Sequence, residues 1–339
     1  MRTYHLHTPG RIDGIVARDT AHRPAPGPRD IVVRMRAVSL NRRDLLILHG
    51  RYPLAAAPDQ IPLSDGAGEV VAVGDEVTRF TVGDRVTSTY FPNWIDGRIT
   101  PAVIDQPGAT LPGMLAEYVR LDQDAAVRAP DHLGWEEAAC PPCAGVTAWH
   151  AVTGGDPLLT GETVLTLGTG ALSLFAVQFA KTRGAEVVAT TSGPAKAERL
   201  KALGADHVID HAANPAWAQA VREVTGGRGA DLVVETVGPD TIEQSVRAAA
   251  LYGRIVLIAA NSPRRDSLEI STDALASSLV TMRRIFVGSR TQVEAMNKAI
   301  ALNALRPVVD RVFGFDEVHE AYGYYASGAA FGKVVIRIA

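Results

Sequence analysis

The chain has 339 residues, 47% of them hydrophobic and 21% charged, with a formal net charge of -3. That composition is ordinary for a soluble globular protein, and with charge this close to balance and both signs interspersed nothing points to nucleic acid or an anionic membrane as a partner. Two cysteines in this length exclude a secreted disulfide scaffold, and at roughly 100–200 residues per domain there is room for two domains.

The opening stretch MRTYHLHTPG has no apolar core of the kind a signal peptide carries, so the cytoplasm is the expected location. Ile31–Val38 (IVVRMRAV) alternates apolar and polar residues and predicts a half-buried strand. EVVAVG and VGDRV predict strands closed by glycine turns. Pro and Gly are frequent up to about residue 113, which suits a twisted, partly open barrel. Thr163–Ala180 carries no charge and is about as long as a membrane span. Gly168 and Gly170 interrupt it after a short β-like run, so it is read as strand, turn and helix.

Beyond about residue 145 the pattern changes. VLTLG, EVVAT, HVID, DLVVET and RIVLIAA are short apolar strands. SLFAVQFAKTRG, AKAERLKALG, PAWAQAVREVTGG and TIEQSVRAAALYG lie between them as helices, several closed by glycine. Strands alternating with helices predict βαβ units, right-handed crossovers and a parallel sheet. RRIFVGSR is expected to add a strand, VEAMNKAIALNAL a helix and KVVIRI a final strand that returns to the first domain.

Gly168-Thr169-Gly170-Ala171-Leu172-Ser173 follows a strand and opens a helix. The first glycine allows a tight turn, and the second lets the backbone approach a pyrophosphate. The helix N-terminus offers amide N–H groups to the anion. Ser173, still small, replaces the third glycine. An NAD site places an acid about 20 residues on, at the ribose 2′-hydroxyl. Here the second strand ends in Ala189-Thr190-Thr191-Ser192, followed by Lys196 and Arg199. A neutral strand end with cations nearby suits the 2′-phosphate of NADP(H). Ser192 also reads as a plain helix cap, and Lys196 as a solvated helix face.

CPPCAGVTAWH, residues 140–150, holds both cysteines and a histidine. A metal site, a disulfide and a redox pair are the readings to separate. A CxxC redox motif draws thiolate stabilisation from a helix N-terminus, but the flanking pattern of a thioredoxin-like unit is missing. His150 reads as a helix-face histidine.

The chain resembles the medium-chain dehydrogenases/reductases, on their quinone oxidoreductase-like side. The stretches SLNRRDLLILHGRYP, PLSDGAGEVVAVG, FTVGDRV, CAGVTAWHAV, GETVLTLGTGALS, KALGADHVID and GKVVIRI carry the resemblance over nearly the full length. It implies an α/β fold in which a bipartite, β-rich, GroES-like catalytic domain flanks a Rossmann doubly wound parallel sheet. The expected division is 1–128 and 289–339 for the catalytic domain and 129–288 for the dinucleotide-binding domain. It also implies an active site in the cleft between them and a homodimer acting on a small molecule.

Zinc alcohol dehydrogenases of this superfamily bind their catalytic metal through a Cys in the early loop, a His in a GHE stretch and a Cys before the Rossmann domain. Asn41, Ser64 and Cys143 stand at those positions here. Catalytic zinc needs three protein ligands, and one thiol does not supply them. The four-cysteine structural zinc lobe is replaced by residues 91–113. No bound metal is therefore expected. Without zinc a substrate carbonyl must be polarised by hydrogen bonds, each contributing on the order of 3 kcal/mol.

The resemblance then points to Asn41, to Asp44 in the same loop, to Tyr52 in Gly50-Arg51-Tyr52-Pro53, and to Thr147 against the nicotinamide ring. Asn41 also reads as a helix cap, Asp44 as the partner of a neighbouring arginine and Tyr52 as a pocket wall. Ser64, Trp94 and Cys143 are candidate pocket residues, with Trp94 and Trp135 also reading as loop or core anchors. Leu46 stands where quinone reductases place an aromatic. His211 stands where the family commonly has a Tyr near the adenosine phosphate. Arg42, Arg43 and Arg51 suit an acidic substrate or simply a solvated loop.

The expected activity is NADPH-dependent reduction of an activated C=C bond in an enone, enoyl or quinone-like substrate. A zinc-independent carbonyl or alcohol oxidoreductase, a biosynthetic tailoring enzyme and a non-catalytic NADPH-binding protein are the alternatives.

Overall fold

The computed structural model describes residues 1–259 and 267–339. The chain divides into two compact units, Met1–Val146 with Val287–Ala339, and Thr147–Phe286. The first boundary thus falls later than the sequence suggests. The reason is local: the helix Trp135–Ala138 and the π-helical turn Pro141–Gly145 pack on the strands of the first unit. Ser39 Oγ donates to the Ala139 carbonyl at 2.8 Å, and the Cys143 N–H donates to Asp65 Oδ2 at 3.2 Å.

In the first unit, a sheet runs in the order Val309–Gly314, Lys333–Arg337, Asp30–Ser39, Asp65–Val73, Arg85–Ser88, Ala126–Arg128, and Tyr118–Asp122 also pairs with Asp30–Ser39. The long strand Asp30–Ser39 was expected to be half-buried. Instead Ile31, Val32 and Val33 are all buried, because three neighbouring strands and the packed segment 135–145 cover both of its faces. The core gathers Ile31, Val33, Met35, Val38, Leu63, Met114, Tyr322 and Ile336.

Register in this sheet matters more than its outline. Val335 pairs with Ser39 in the antiparallel contact of Lys333–Arg337 with Asp30–Ser39, and the Leu40 N–H donates to the Val334 carbonyl at 3.0 Å. Two residues further along, that register sets Lys333 opposite Asn41. On the other side of the long strand, Ser39 pairs with Asp65. One end of the sheet therefore collects residues 41, 65 and 333 from three distant segments.

The second unit is a six-stranded sheet, parallel throughout, in the order His207–Asp210, Glu186–Thr191, Thr163–Thr166, Ala230–Glu235, Ala249–Leu257, Thr281–Arg284. This is the doubly wound order that binds dinucleotides at the point where strand order reverses. The helices Ala171–Thr182, Pro194–Leu203, Trp217–Val224 and Ile242–Ala248 connect the strands as expected. The last strand is Thr281–Arg284 rather than RRIFVGSR: Ile285 onward leads instead to the helix Arg290–Leu302, which Ser289 caps. Ala260, the end of the expected RIVLIAA strand, lies outside the described residues. The uncharged stretch 163–180 is a strand and a helix. Among the described residues, no helix is long and apolar enough to cross a membrane.

Candidate active site

In the second unit, the strand Thr163–Thr166 delivers the chain into the turn 167–170, and Gly170 caps the helix Ala171–Thr182. Gly168 has φ +74°, a left-handed conformation that favours glycine. Gly170 has φ -68°, which any residue tolerates, and a Cβ placed there meets no atom of the described residues within 4 Å. Glycine at 170 thus answers to no neighbour among the described residues. The turn is stitched from both sides. The Gly168 N–H donates to Thr190 Oγ1 at 3.1 Å, and the Leu167 carbonyl accepts from Ser173 Oγ at 2.6 Å and Thr236 Oγ1 at 2.9 Å. Ser173 is buried, and its hydroxyl builds the turn. Thr169 is nearly buried, while Ala171 and Leu172 are half-buried.

The neighbouring strand end is neutral, as the sequence suggests. Asp210 pairs with Thr191, and the His211 N–H donates to the Thr191 carbonyl at 2.9 Å. Ser192 and His211 are therefore adjacent ends of two parallel strands, and both are exposed. Ser192 is not the cap of the next helix; Gly193 holds that place with φ +127° and no side-chain bond. Lys196 sits in the first turn of Pro194–Leu203, half-exposed. A neutral edge, a hydroxyl and a cation at a helix N-terminus fit a phosphate.

Glu235 was not singled out from the sequence. It is fully buried at the end of its strand, where it accepts from the N–H groups of Val237 and Gly238 at 2.8 Å each, and from the hydroxyls of Thr241 and Ser245. It fixes the loop that also supplies Thr236 to the glycine turn.

In the first unit, the three zinc-ligand positions of the resembled dehydrogenases do come together, but around an internal cation. Lys333 is 1% exposed. Its Nζ donates to Asn41 Oδ1 at 2.9 Å, to the Leu40 carbonyl at 3.0 Å and to Asp65 Oδ2 at 3.3 Å. Asp65, fully buried, also accepts from the Cys143 N–H and, through Oδ1, from Ser64 Oγ at 2.7 Å. Burial first, and then Asp65, push the Cys143 thiol up. A site whose amide oxygen is held by an ammonium, whose hydroxyl is spent on a carboxylate and whose thiol resists ionisation does not fit zinc. Among the described residues, no group of three His, Cys, Asp or Glu side chains is placed to hold a metal ion.

Asn41 caps the helix Arg42–Leu48, and its own N–H donates to Asp44 Oδ2 at 2.7 Å. Asp44 Oδ1 lies 3.7 Å from Arg43 Nη1. Burial lifts the Asp44 carboxyl to about 6, although Arg43 opposes the rise. Asn41 thus occupies the N-cap position with its side-chain oxygen turned to Lys333, and Asp44 has Arg43 as an ionic neighbour.

Arg43 is buried rather than solvated, unlike Arg42 and Arg51. Its Nη1 donates to the Pro107 carbonyl at 2.8 Å, and its guanidinium faces the rings of Tyr52 at 5.3 Å and Tyr90 at 5.0 Å. Tyr52, half-buried, joins Tyr90 and Gln106 through its hydroxyl at 2.7 Å each, donating to Gln106 Oε1. Burial pushes the phenol of Tyr52 up. Its proton is thus already engaged. Loop 91–113, which the sequence left without a conformation, supplies Gln106 and Pro107 to this cluster.

Two of the pocket candidates are buried. Trp94 is buried, its Nε1 donates to the Gly97 carbonyl at 3.1 Å, and its ring meets Phe91 edge-on at 5.7 Å. Its carbonyl also accepts from the Arg290 N–H at 2.9 Å. Trp94 anchors its loop. Ser64 is fully buried and holds Asp65. Trp135 lies under the Arg85 guanidinium at 4.3 Å. Among the described residues, Cys140 and Cys143 form no disulfide. Burial pushes Cys140 to about 12, the reverse of what a redox CxxC requires. Thr147 is buried on the helix Val146–Thr153, and His150 lies 3.4 Å from Arg283 Nη1.

Residues 27–131 match the family model for the alcohol dehydrogenase GroES-like domain, and residues 171–302 match that for zinc-binding dehydrogenases. A zinc-type alcohol dehydrogenase-like protein of Schizosaccharomyces pombe is 40% identical, covering 92% of this chain and 91% of its own. A quinone oxidoreductase of Pseudomonas aeruginosa is 30% identical, covering 93% of each. An NAD-dependent alcohol dehydrogenase structure superposes with TM-score 0.91 at 30% identity, covering 100% of both chains. A mycobacterial protein solved in complex with NADPH superposes with TM-score 0.82 at 26% identity, again over 100% of both. With both domains matched and relatives aligned over nearly its full length, the chain belongs to the medium-chain dehydrogenase/reductase superfamily, whose members here are oxidoreductases using a nicotinamide nucleotide.

Proposed function

We propose that this protein is a zinc-independent, NADPH-dependent reductase of an activated C=C bond, taking an enone, enoyl or quinone-like small molecule. One observation carries the reading: the Lys333–Asp65 ion pair links the positions where the zinc-dependent relatives hold their metal. Such a site polarises a carbonyl with hydrogen bonds, which suits addition at the β-carbon of a conjugated system, where charge develops on the distal oxygen. The names of relatives include both alcohol dehydrogenase and quinone oxidoreductase. The reading is supported by the site rather than by the fold, which both kinds of relative share.

When bound, NADPH supplies the hydride. The turn at Gly168–Gly170 and the N-terminus of Ala171–Thr182 would receive its pyrophosphate, with the 2′-phosphate near Ser192, Lys196 and His211. In the other unit, Asn41 would donate to the substrate oxygen, and proton return to the α-carbon falls to water or to a side chain such as Tyr52. Tyr52 could release its proton only by breaking the bond to Gln106. A homodimer in the cytoplasm is the accompanying expectation.

The test is a nucleotide titration, a zinc assay and a substrate panel on one purified sample. Tight NADPH binding, weaker NADH binding, no stoichiometric zinc and NADPH oxidation with enones but not with saturated ketones is the expected result. Turnover of saturated ketones or simple alcohols, unaffected by chelator, would favour the carbonyl/alcohol oxidoreductase or a tailoring activity on the same scaffold. Binding without hydride loss to any acceptor would favour a non-catalytic NADPH-binding protein.

A further inference from the structure

Asn41 carries a buried polar atom that nothing satisfies. Its Nδ2 is out of water and has no hydrogen-bond partner among the described residues. A buried amide N–H without a partner costs about 1–3 kcal/mol, and folds rarely keep such a group without reason. The other end of the same amide is tightly held. Lys333 Nζ stands 2.9 Å from Oδ1. An ammonium has three donors and no acceptor, so only the carbonyl end of the amide can face it. Lys333 spends its other donors on the Leu40 carbonyl and on Asp65, so it cannot follow Asn41 if the amide turns. Asp65 is in turn held by Ser64 and by the Cys143 N–H. The orientation of Asn41 is thus determined by charge as well as by packing.

We propose that Lys333 is a positioning residue for the reaction: it locks the Asn41 amide with its oxygen inward, so that Nδ2 is kept as the donor for the oxygen on which negative charge develops. This rests on the reductase reading above. Lys333 does not touch substrate. Its charge, neutralised by Asp65, acts through Asn41 by fixing the amide and polarising its N–H groups. Two residues fixed by sheet register therefore supply in this protein an electrophilic donor at the place the relatives give to a metal.

A double-mutant cycle on kcat and KM tests this, with Lys333→Met, Asn41→Ala and the two combined. Each single variant is expected to lower kcat, Asn41→Ala by about 100-fold and Lys333→Met by at least about 10-fold, with little change in KM. Lys333→Met is expected to have no further effect on kcat once Asn41 is gone. Lys333→Arg, which keeps the charge and the donors, should recover part of the loss. Because Lys333→Met leaves Asp65 buried without a counter-charge, the cycle is repeated in an Asp65→Asn background, where no carboxylate is stranded. Asn41→Asp keeps an acceptor for Lys333 while deleting the donor, and it should fold but lose kcat.

Equal losses from Lys333→Met with and without Asn41 would overturn the proposal, as would a loss seen only in thermal stability. If the wild type ignores enones yet turns over alcohols, the reductase reading fails while the cycle, run on the alcohol, still decides the Lys333–Asn41 coupling. Inactivity toward every substrate overturns both.

Discussion

The Asp44 carboxyl lies at the N-terminus of a short helix, wholly out of water, and burial lifts it to about 6 from an ordinary 3.8. The sign follows from linkage. Between those two values the folded chain holds a proton that the unfolded chain has released, so stability falls as pH rises through this window. A shift of this size corresponds to on the order of 3 kcal/mol of stability, present below pH 4 and lost above about pH 6. Asp44→Asn can still accept from the Asn41 N–H but never ionises. The variant is expected to melt higher than wild type at pH 8, with the gap shrinking toward pH 5. Thermal melts of both proteins across that range check it; a constant gap would mean that the carboxyl is not the titrating group. The same neighbourhood shows why some residues were legible in the sequence and others not. Asn41, Asp44 and Tyr52 lie close together in the sequence, on and just beyond one short helix, and could be read together. Lys333 meets Asn41 only through the pairing of Val335 with Ser39, a long-range register that local pattern does not contain. Arg43 looked like one of three solvated arginines because nothing in its own stretch of sequence reveals that Pro107 and Tyr90 close over it.

Among the elements, the glycine turn was the most readable, because its strand, turn and helix are contiguous and each carries its own local signal. The structure adds a division of labour between its glycines. Gly168 serves the backbone, with φ +74°, and an alanine there would be strained by about 1–2 kcal/mol. Gly170 serves no contact with the described residues, since a Cβ at φ -68° meets none of their atoms within 4 Å. Gly168→Ala is expected to lower both thermal stability and nucleotide affinity. Gly170→Ala should leave stability within about 0.5 kcal/mol while weakening NADPH binding about 10-fold or more, because the added methyl enters the space assigned to the pyrophosphate. Melting curves without ligand and fluorescence titration with it separate the two effects. Unchanged affinity in Gly170→Ala would remove the pyrophosphate from this turn. Elements that depend on tertiary packing were less legible. Residues 129–146 belong with the first unit because Ser39 and Asp65 hold them. The strand placed at RRIFVGSR begins at Thr281, where pairing with Arg254 starts.

At the scale of the molecule, the two proposed tasks fall in separate units: the residues proposed for the dinucleotide lie in Thr147–Phe286, and the Lys333–Asp65 network lies wholly in the other. A ligand that binds only folded protein stabilises it by about 2.7 kcal/mol at 100 times its Kd. NADPH at that level should therefore raise the melting transition of the unit that carries the glycine turn. At the same concentration NADH should raise it far less, since Ser192, Lys196 and His211 would contact only the 2′-phosphate that NADH lacks. Lys333→Met provides the converse perturbation, since stranding Asp65 should destabilise the other unit by about 3–5 kcal/mol. Calorimetry on wild type and on this variant, each without nucleotide, with NADPH and with NADH, reads both effects in one series. If the two units unfold separately, the nucleotide and the substitution move different transitions; if they unfold together, the single transition moves by both. In either case, an equal upward shift from NADH and NADPH would show that the neutral strand end does not select the phosphate, and the cofactor reading would pass to NAD.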